Sequence, residues 1–346
     1  MYVCEWRIVL GVINVVPKRS ITTDPVVGVT SVDDKLFVLT SEDTEDSNNN
    51  QVAVYSVNNY KLLRHLYLPE FKPYDMTSCA HKKCLYISDP FNSCILRFDL
   101  AWSWLPASLR VVVEWFTSPY ISKWSVPGLP YGLSVTPDGN LLVTCLGPPN
   151  KLVELSADSG QCVREVSLQP DIERPRHALK LTIGQYLVCH GFGDDRLHRV
   201  CLVSPKGLTR HIKHTKHTTV TRSYGGRCGY DYGQLNSPYH LAVDENSHAI
   251  FVTDQYSRRV EVLSPQLELA CHIRLTNAPL QQEFNKGRRL YFDQASRRLY
   301  AGQQADIFVI QINGGRLWKV GIQLGLWVRK FPEIHSNLTE NSLGSY

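Results

Sequence analysis

The sequence of 346 residues contains no run of 18 apolar residues and no segment with a helical hydrophobic period. The first absence excludes a membrane-spanning helix, and the second favours an architecture built of β-strands. The sequence also lacks a P-loop, an HExxH helix and a nucleophile-elbow serine. Enzymes that depend on those motifs are therefore excluded.

Ten cysteines are present, but no two of them form a CxxC pair, so neither a zinc knuckle nor a thioredoxin-like site is supported. Several lie inside predicted strands, where cysteine behaves as a small buried apolar residue. Cys79 and Cys84 would face each other across a tight hairpin, where a disulfide stays an alternative to two thiols. We expect reduced thiols and a cytoplasmic protein.

What the sequence does contain is a repeated unit of three short strands. Residues 233–263 give the clearest copy, with a Gly-x-Leu-x-x-Pro opening, a strand at 241–244, a polar turn, a strand that ends in Asp254, and a third strand. This unit resembles an NHL repeat. Strands this short cannot bury themselves, so the unit needs neighbours of the same kind. Asp89 occupies the same repeat position as Asp254, and we expect both to hold the turn that follows.

Further copies of the unit make up an array of six. The opening of a proline and an aromatic residue recurs at Pro73-Tyr74, Pro130-Tyr131 and Pro238-Tyr239, and weaker copies occupy 25–55 and 289–312. The spacing of roughly 45 to 60 residues is typical of propeller blades. The sequence therefore predicts an all-β fold, a six-bladed β-propeller of the NHL type, because radial closure removes the open edges of a linear sheet.

The repeats divide the chain into three parts. Residues 25–312 are predicted to form one propeller domain. The N-terminal segment, 1–24, is expected to supply a strand that closes the last blade, and an apolar strand in 313–346 competes for that place before the chain ends in a polar tail. No part of the sequence is expected to enter a membrane.

Propellers of this kind occur in the tripartite-motif family, and the resemblance covers only its propeller part. In that family it implies recognition of a protein partner or of RNA by the propeller. The sequence has neither the metal-ligand spacing of a RING or B-box nor the heptads of a coiled coil, so ubiquitin-ligase activity is not expected. The sequence thus favours a non-catalytic binding platform, a scaffold for a protein partner.

A basic segment at 206–227 provides an alternative, the binding of single-stranded RNA. Lysines and arginines would neutralise phosphates, and a tyrosine would stack on a base. The net charge of the whole chain is only +5, but positive residues cluster here. The candidate residues for RNA or for another partner are Lys206, Arg210, Lys213, Lys216, Arg222, Arg227 and Tyr230.

A second alternative is a metal-dependent lyase or hydrolase, and it keeps the question of enzyme activity open. The second residue after the opening proline is Asp75, Gly132, His177 and His240 in four successive blades, and such positions converge on one end of the channel. An aspartate and two histidines are ligands that suit a divalent metal such as zinc. NHL-containing amidating lyases hold zinc with histidines in such a channel. This sequence lacks their third matching histidine and their tyrosine and arginine motif.

Overall fold

The fold is known from a computed structural model that describes residues 4–6, 11–14, 26–41, 50–68, 71–100, 121–193, 196–205, 214–215, 218–274, 287–303 and 306–312. Within these ranges the chain forms six β-sheets. Among the same residues, no helix has the length and the apolar character needed to cross a membrane.

Two short strands, β1 (Cys4–Trp6) and β2 (Gly11–Asn14), come first in the chain and join the fifth and sixth sheets. The first three sheets follow the order of the sequence. The first comprises β3 (Val26–Val32), β4 (Lys35–Thr40), β5 (Gln51–Ser56) and β6 (Leu62–Tyr67). The second comprises β7 (Asp75–Cys79), β8 (Cys84–Asp89), β9 (Cys94–Asp99) and β10 (Ile121–Ser125). The third comprises β11 (Leu129–Val135), β12 (Leu141–Leu146), β13 (Lys151–Leu155) and β14 (Cys162–Ser167).

The other three sheets have the same plan. The fourth comprises β15 (Pro175–Lys180), β16 (Tyr186–His190), β17 (His198–Pro205) and β19 (Thr218–Gly226), while β18 (His214–Thr215) lies parallel to the outer strand of the third sheet. The fifth comprises β20 (Pro238–Val243), β21 (Ile250–Asp254), β22 (Arg259–Leu263) and β23 (Leu269–Arg274), with β1 parallel to its outer strand. The sixth comprises β24 (Gly287–Asp293), β25 (Arg298–Gln303) and β26 (Asp306–Gln311), with β2 antiparallel to β26 as its fourth strand.

The first strand of each sheet contacts the first strands of both neighbouring sheets, and β24 contacts β3, so the ring is closed. The prediction of an all-β, six-bladed propeller is confirmed. Each inner strand is the edge of its own sheet, and closure places it between the inner strands of both neighbouring blades instead of at an open end of the array.

The turn after Asp89 is held by its side chain, as expected from the repeat. Asp89 accepts hydrogen bonds from the backbone amide of Asn92 at 3.0 Å and from its side-chain amide at 2.7 Å. Asp254 accepts a hydrogen bond from the backbone amide of Asn236 at 2.6 Å, which lies in the connection before β20 and not in the turn that follows Asp254. Cys79 and Cys84 are register partners in the β7–β8 hairpin, and both carry free thiols.

Apolar contacts between neighbouring blades form the core. Phe251 of the fifth blade stacks on Phe292 of the sixth, with ring centroids 5.4 Å apart, in a cluster that also includes Leu290 and Phe308. Burying each such side chain contributes about 1.5–3 kcal/mol. The blades are therefore held together mainly by the apolar sheet faces that pack against the neighbouring blades.

The two ends of the propeller differ in character. We call the end at which the six inner strands begin the top face and the other end the bottom face. Ion pairs link adjacent blades on the bottom face: Lys82 to Asp158 at 2.5 Å, Lys180 to Asp138 at 2.5 Å, and Lys83 to Asp33. On the described part of the bottom face, these three lysines and three aspartates neutralise one another.

Candidate functional site

The first residues of the inner strands line the central channel at the top face. Five inner strands have a register shift at this point, typical of β-bulges, which change the direction of a side chain. The shifts lie between Val26 and Gly28, Pro130 and Leu133, Pro175 and His177, Pro238 and Leu241, and Gly287 and Arg289. The channel-lining positions therefore follow from the repeat itself.

These positions form two layers. The inner ring has one residue from each blade, in the order Gly28, Asp75, Gly132, His177, His240 and Arg289. The preceding residues lie closer to the top face, and we call the described side chains among them the mouth ring: Val27, Tyr74, Tyr131, Arg176 and Tyr239. The sixth of these positions is Arg288, whose side chain lies outside the description. The backbone approaches most closely at Gly132, where an added Cβ would lie 2.4 Å from the carbonyl oxygen of Arg176. A glycine at this position lets two inner strands meet without a clash.

The three predicted metal-ligand residues lie together in the inner ring. One ligand atom each of Asp75, His177 and His240 lies within 4.8 Å of the others, and all three residues are buried. The two imidazole rings stack with centroids 3.7 Å apart. His177 has its Nε2 at 2.9 Å from the carbonyl oxygen of Leu133. His240 has its Nε2 at 3.5 Å from a carboxylate oxygen of Asp75, which is too long for a good hydrogen bond.

Arg289 is the fourth charged or titratable member of this cluster. Its Nε lies 3.3 Å from the Asp75 carboxylate and donates to the carbonyl oxygen of Val27 at 2.5 Å, while a second guanidinium nitrogen donates to the carbonyl oxygen of Tyr74. Asp75 also accepts hydrogen bonds from the amides of Met76 at 2.9 Å and of Leu133 at 2.8 Å. Both charges are thus well satisfied within the inner ring.

The charge states of the cluster follow from burial and from this ion pair. Burial would raise the pKa of Asp75, but the charge of Arg289, assisted by the histidines, lowers that pKa to about 2. Burial lowers the pKa of His177 to about 3 and also lowers the pKa of His240, although Asp75 opposes the latter effect. At neutral pH the cluster therefore holds one carboxylate, one guanidinium and two neutral imidazoles.

The mouth ring consists mainly of aromatic side chains and one arginine. Arg176 donates to the hydroxyl of Tyr74 at 3.0 Å, and Tyr239 donates to the same hydroxyl at 2.5 Å across the channel. The rings of Tyr74 and Tyr131 meet edge to face, with centroids 4.3 Å apart. The guanidinium of Arg176 lies 4.4 Å from the ring centroid of Phe192 and 5.6 Å from those of Tyr131 and Tyr239. This arrangement forms an aromatic cage around a cation.

Exposed aromatic residues also lie on the top face away from the channel. Phe91, in the turn between the second and third strands of the second blade, is 76% exposed, and Tyr230, in the connection that leads into β20, is 66% exposed. Leu129, the first residue of β11, and Tyr232, in the connection that leads into β20, are also exposed at the top face. On the bottom face, Ile183 is an exposed apolar residue at 71%.

The candidate residues of the basic segment fall in different places. Lys206, Arg210, Lys213 and Lys216 lie outside the described residues. Arg222 lies within β19 rather than in a loop, and it is exposed, as are Arg227 and Tyr230 in the connection to β20. The segment interpreted from its composition as one basic loop contains β18 and the nine residues of β19.

Sequence reasoning missed Arg289, Arg176 and the mouth-ring tyrosines as site residues. The recurrent aromatic after the opening proline gives a usable signal for Tyr74, Tyr131 and Tyr239. Arg289 gives a weaker one, since the sixth blade opens with Gly287 in place of proline.

No protein-family model matches this sequence, and no curated protein matches it. Several solved structures share the fold. A catalytically inactive virginiamycin B lyase from Staphylococcus aureus, solved with quinupristin, is 10% identical, with a TM-score of 0.54 over 88% of this chain and 99% of that chain. A protein of unknown function from Bacteroides thetaiotaomicron is 11% identical, with a TM-score of 0.56 over 84% of this chain and 70% of that chain. The β-propeller domain of Cps50 (Swd1) from Myceliophteria thermophila is 10% identical, with a TM-score of 0.50 over 83% of each chain. At these identities the likeness concerns the propeller fold and not the activity.

Proposed function

We propose that the protein is a non-catalytic platform that binds a protein partner through its top face. The observation that carries this proposal is the set of tyrosine, phenylalanine and arginine side chains on the top face. Arg176 lies among aromatic rings at the channel mouth, and Phe91 and Tyr230 are exposed in the connections around it. Tyrosine and arginine are enriched among the residues that contribute most to protein–protein binding. Propeller faces offer the rigid surface that such anchors need.

The bottom face is a weaker candidate because three lysines of its described part are already paired with aspartates. The lysines there contact aspartates of adjacent blades, for instance Lys82 with Asp158 and Lys180 with Asp138, both at 2.5 Å. A partner would have to break these pairs or leave them at the rim, where charges add little affinity.

The test compares proteins altered on one face at a time. Immobilised wild-type protein, a Phe91→Ser and Tyr230→Ser double variant, and an Ile183→Ser variant are used to purify binding proteins from cells. All three positions are exposed, so the substitutions should leave the fold intact. A partner of the top face is retained by the Ile183→Ser protein and lost by the double variant, and pairwise binding of that purified partner should weaken at least about tenfold.

The proposal fails if every protein retained by the wild type is retained equally by the double variant. It also fails if the purified partner binds the double variant with unchanged affinity. A partner lost only with Ile183→Ser would place the interface on the bottom face.

The NHL type of the repeats and a cytoplasmic location are part of the proposal. The repeat at 233–263 supports the first, and the buried free thiols of Cys145, Cys189 and Cys201 support a reducing compartment. Microscopy of a tagged protein with a secretory-pathway marker tests the location. Co-localisation with that marker would contradict it.

Binding of single-stranded RNA remains a prediction from the sequence. Arg227 and Tyr230 lie in one exposed connection on the top face. In a complex with RNA, the arginine would contact a phosphate and the tyrosine would stack on a base. Fluorescence anisotropy against salt tests it. No binding tighter than about 10 μM at low salt would reject it, since non-specific nucleic-acid binders normally exceed that affinity.

A metal centre at Asp75, His177 and His240 is the second candidate function, as the basis of a lyase or hydrolase. The convergence of these side chains within 4.8 Å favours it, and an ionised aspartate with neutral histidines is the form that binds metal. Arg289 opposes it, because its guanidinium lies 3.3 Å from the carboxylate that would have to bind the cation. We therefore expect Arg289 to limit zinc affinity.

Calorimetric titration with zinc of the wild type, of Arg289→Met, and of Arg289→Met with His240→Ala tests this candidate. A metal centre predicts that removing the arginine strengthens zinc binding at least about tenfold and that removing the histidine abolishes the gain. Equal zinc binding by all three proteins would rule it out.

A further inference from the structure

The buried cluster at the channel mouth has an uncompensated positive charge. Asp75 and Arg289 form an ion pair and together carry no net charge. Among the described side chains of the inner ring and the mouth ring, the guanidinium of Arg176 is then the one cation without a carboxylate partner.

Arg176 has no carboxylate within 4.0 Å among the described residues, although it is half-buried. Its polar contact is the hydroxyl of Tyr74 at 3.0 Å, and its Nε is buried without a hydrogen-bond partner. Two other shielded arginines have acidic partners, whereas Arg298 contacts the hydroxyl of Tyr60 at 3.0 Å. Arg259 lies 2.8 Å from Glu261, and Arg297 lies 2.8 Å from Asp244. Burying a charge without such a partner is costly. An anion that contacts Arg176 would therefore stabilise it.

The aromatic walls determine what kind of anion fits. The ring centroids of Phe192, Tyr131 and Tyr239 lie between 4.4 and 5.6 Å from the guanidinium, and these rings restrict its orientation. A fixed planar guanidinium matches a carboxylate, which accepts two parallel hydrogen bonds. One negative charge also balances the cluster, whereas a phosphate dianion would leave an excess negative charge near the Asp75 carboxylate.

We propose that Arg176 and the mouth-ring tyrosines form a receptor for the side-chain carboxylate of one glutamate or aspartate, which the protein partner inserts into the channel from the top face. This inference rests on the proposed function and adds the chemistry of the partner. The aromatic surface around the mouth provides the contact area, and the inserted acid fixes the register of the partner on the propeller.

The test uses small probes, so that it does not depend on a known partner. The amides of N-acetyl-glutamate, N-acetyl-glutamine and N-acetyl-phosphoserine are titrated into protein with isotopically labelled arginine side chains, and the Nε resonance of Arg176 is followed by NMR. Arg176→Gln assigns that resonance and serves as the loss variant, and calorimetric titration measures the affinity of each probe for the wild type and for the variants. Arg196→Gln is the matched control, because Arg196 lies in the same blade and is exposed. Unchanged circular dichroism verifies the fold of both variants.

We expect the glutamate probe to shift the Arg176 resonance until the shift saturates. The glutamine probe should have no effect on it. A charge-assisted contact of about 1.5–3 kcal/mol implies that Arg176→Gln weakens the glutamate probe by roughly 10- to 100-fold, while Arg196→Gln changes it less than about twofold. Equal shifts by glutamate and glutamine, no shift by either, or retained binding in Arg176→Gln overturn the inference. Tighter binding of phosphoserine than of glutamate also overturns it and indicates a phosphorylated partner.

Failure of this inference is separate from failure of the platform. A partner that needs Phe91 and Tyr230 but binds wild type and Arg176→Gln equally well rejects the carboxylate receptor and leaves the platform in place. If no partner depends on the top face, the platform is rejected whatever the probes show.

Discussion

Replacing Glu261 with glutamine should stabilise the protein at about pH 8 and have little effect at about pH 5. Glu261 and Asp254 are both buried in the fifth blade and share one cation, with the Nε of Arg259 2.8 Å from Glu261 and 3.0 Å from Asp254. One carboxylate oxygen of Glu261 has no hydrogen-bond partner. Two negative charges against one positive charge, in a site that water does not reach, make full ionisation costly.

The magnitude follows from the shifted pKa values. Burial raises the pKa of Glu261 from 4.5 to about 7 and that of Asp254 from 3.8 to about 6. A folded-state pKa above the unfolded one means that the group favours folding while it is protonated and that this contribution is lost as pH rises from the unfolded pKa through the folded pKa. For Glu261 the loss between about pH 5 and about pH 8 is roughly 2–3 kcal/mol. Glutamine cannot ionise, so the variant avoids this loss.

Buried histidines act in the opposite direction, and the comparison of two proteins removes their effect. Burial lowers the pKa of His177 to about 3 and that of His190 to about 4, so each destabilises the fold as pH falls below the usual histidine pKa. Both proteins contain these histidines. The difference in unfolding free energy between Glu261→Gln and wild type therefore reports the acidic pair.

Urea unfolding followed by tryptophan fluorescence, repeated at several pH values, measures this difference. The exposed Glu245→Gln change is the control and should give no pH-dependent difference. The reasoning is refuted if the Glu261→Gln protein differs from wild type by a constant amount at all pH values, or if wild type is the more stable protein at about pH 8.

Three further predictions concern the free energy of unfolding, and each is measured by chemical denaturation. Gly132→Ala should lower the free energy of unfolding by about 1–3 kcal/mol, because its Cβ would lie 2.4 Å from a backbone oxygen. Gly226→Ala, with open space around it, should change that free energy by less than about 0.5 kcal/mol. Equal effects of the two changes would contradict the close approach at Gly132. Phe251→Ala should cost about 3–5 kcal/mol through the cavity it leaves between blades, and a loss below about 1 kcal/mol would contradict the packing. Asp138→Asn should cost less than about 1 kcal/mol, because its ion pair with Lys180 is at the surface, and a larger loss would contradict the minor role of the bottom-face pairs.

The blades could be predicted from the sequence because the repeat has local punctuation. In the turn at 137–140, Gly139 has a φ of +80°, which glycine adopts without strain. Strands such as β8 are buried at every position, and a strand buried on both faces appears in the sequence as an apolar run rather than as an alternation. These signals act over a few residues, so a single sequence contains them.

The convergence of Asp75, His177 and His240 was predictable for the same reason. Equivalent positions of successive repeats must meet in the channel once the ring closes, and the inner strands contact one another in a closed ring. What the residues do there was harder to predict, because the decisive neighbour, Arg289, belongs to a blade that lacks the opening proline. Arginine is usually exposed, and its burial depends on a carboxylate more than 200 residues away in the sequence.

Arg289 also decides how the two candidate uses of the channel relate to each other. In the ion pair with Asp75 it neutralises the carboxylate of the inner ring, so among the described side chains the positive charge at the mouth is that of Arg176. A divalent cation on Asp75 would face the Arg289 guanidinium at close range and would add two positive charges to the ring, which like-charge repulsion in a buried site opposes. The arrangement with Arg289 in place therefore favours an anion at the mouth over a cation within. Loss of Arg289 would reverse that preference, and for this reason the Arg289→Met protein separates the two functions better than a change to any single metal-ligand residue.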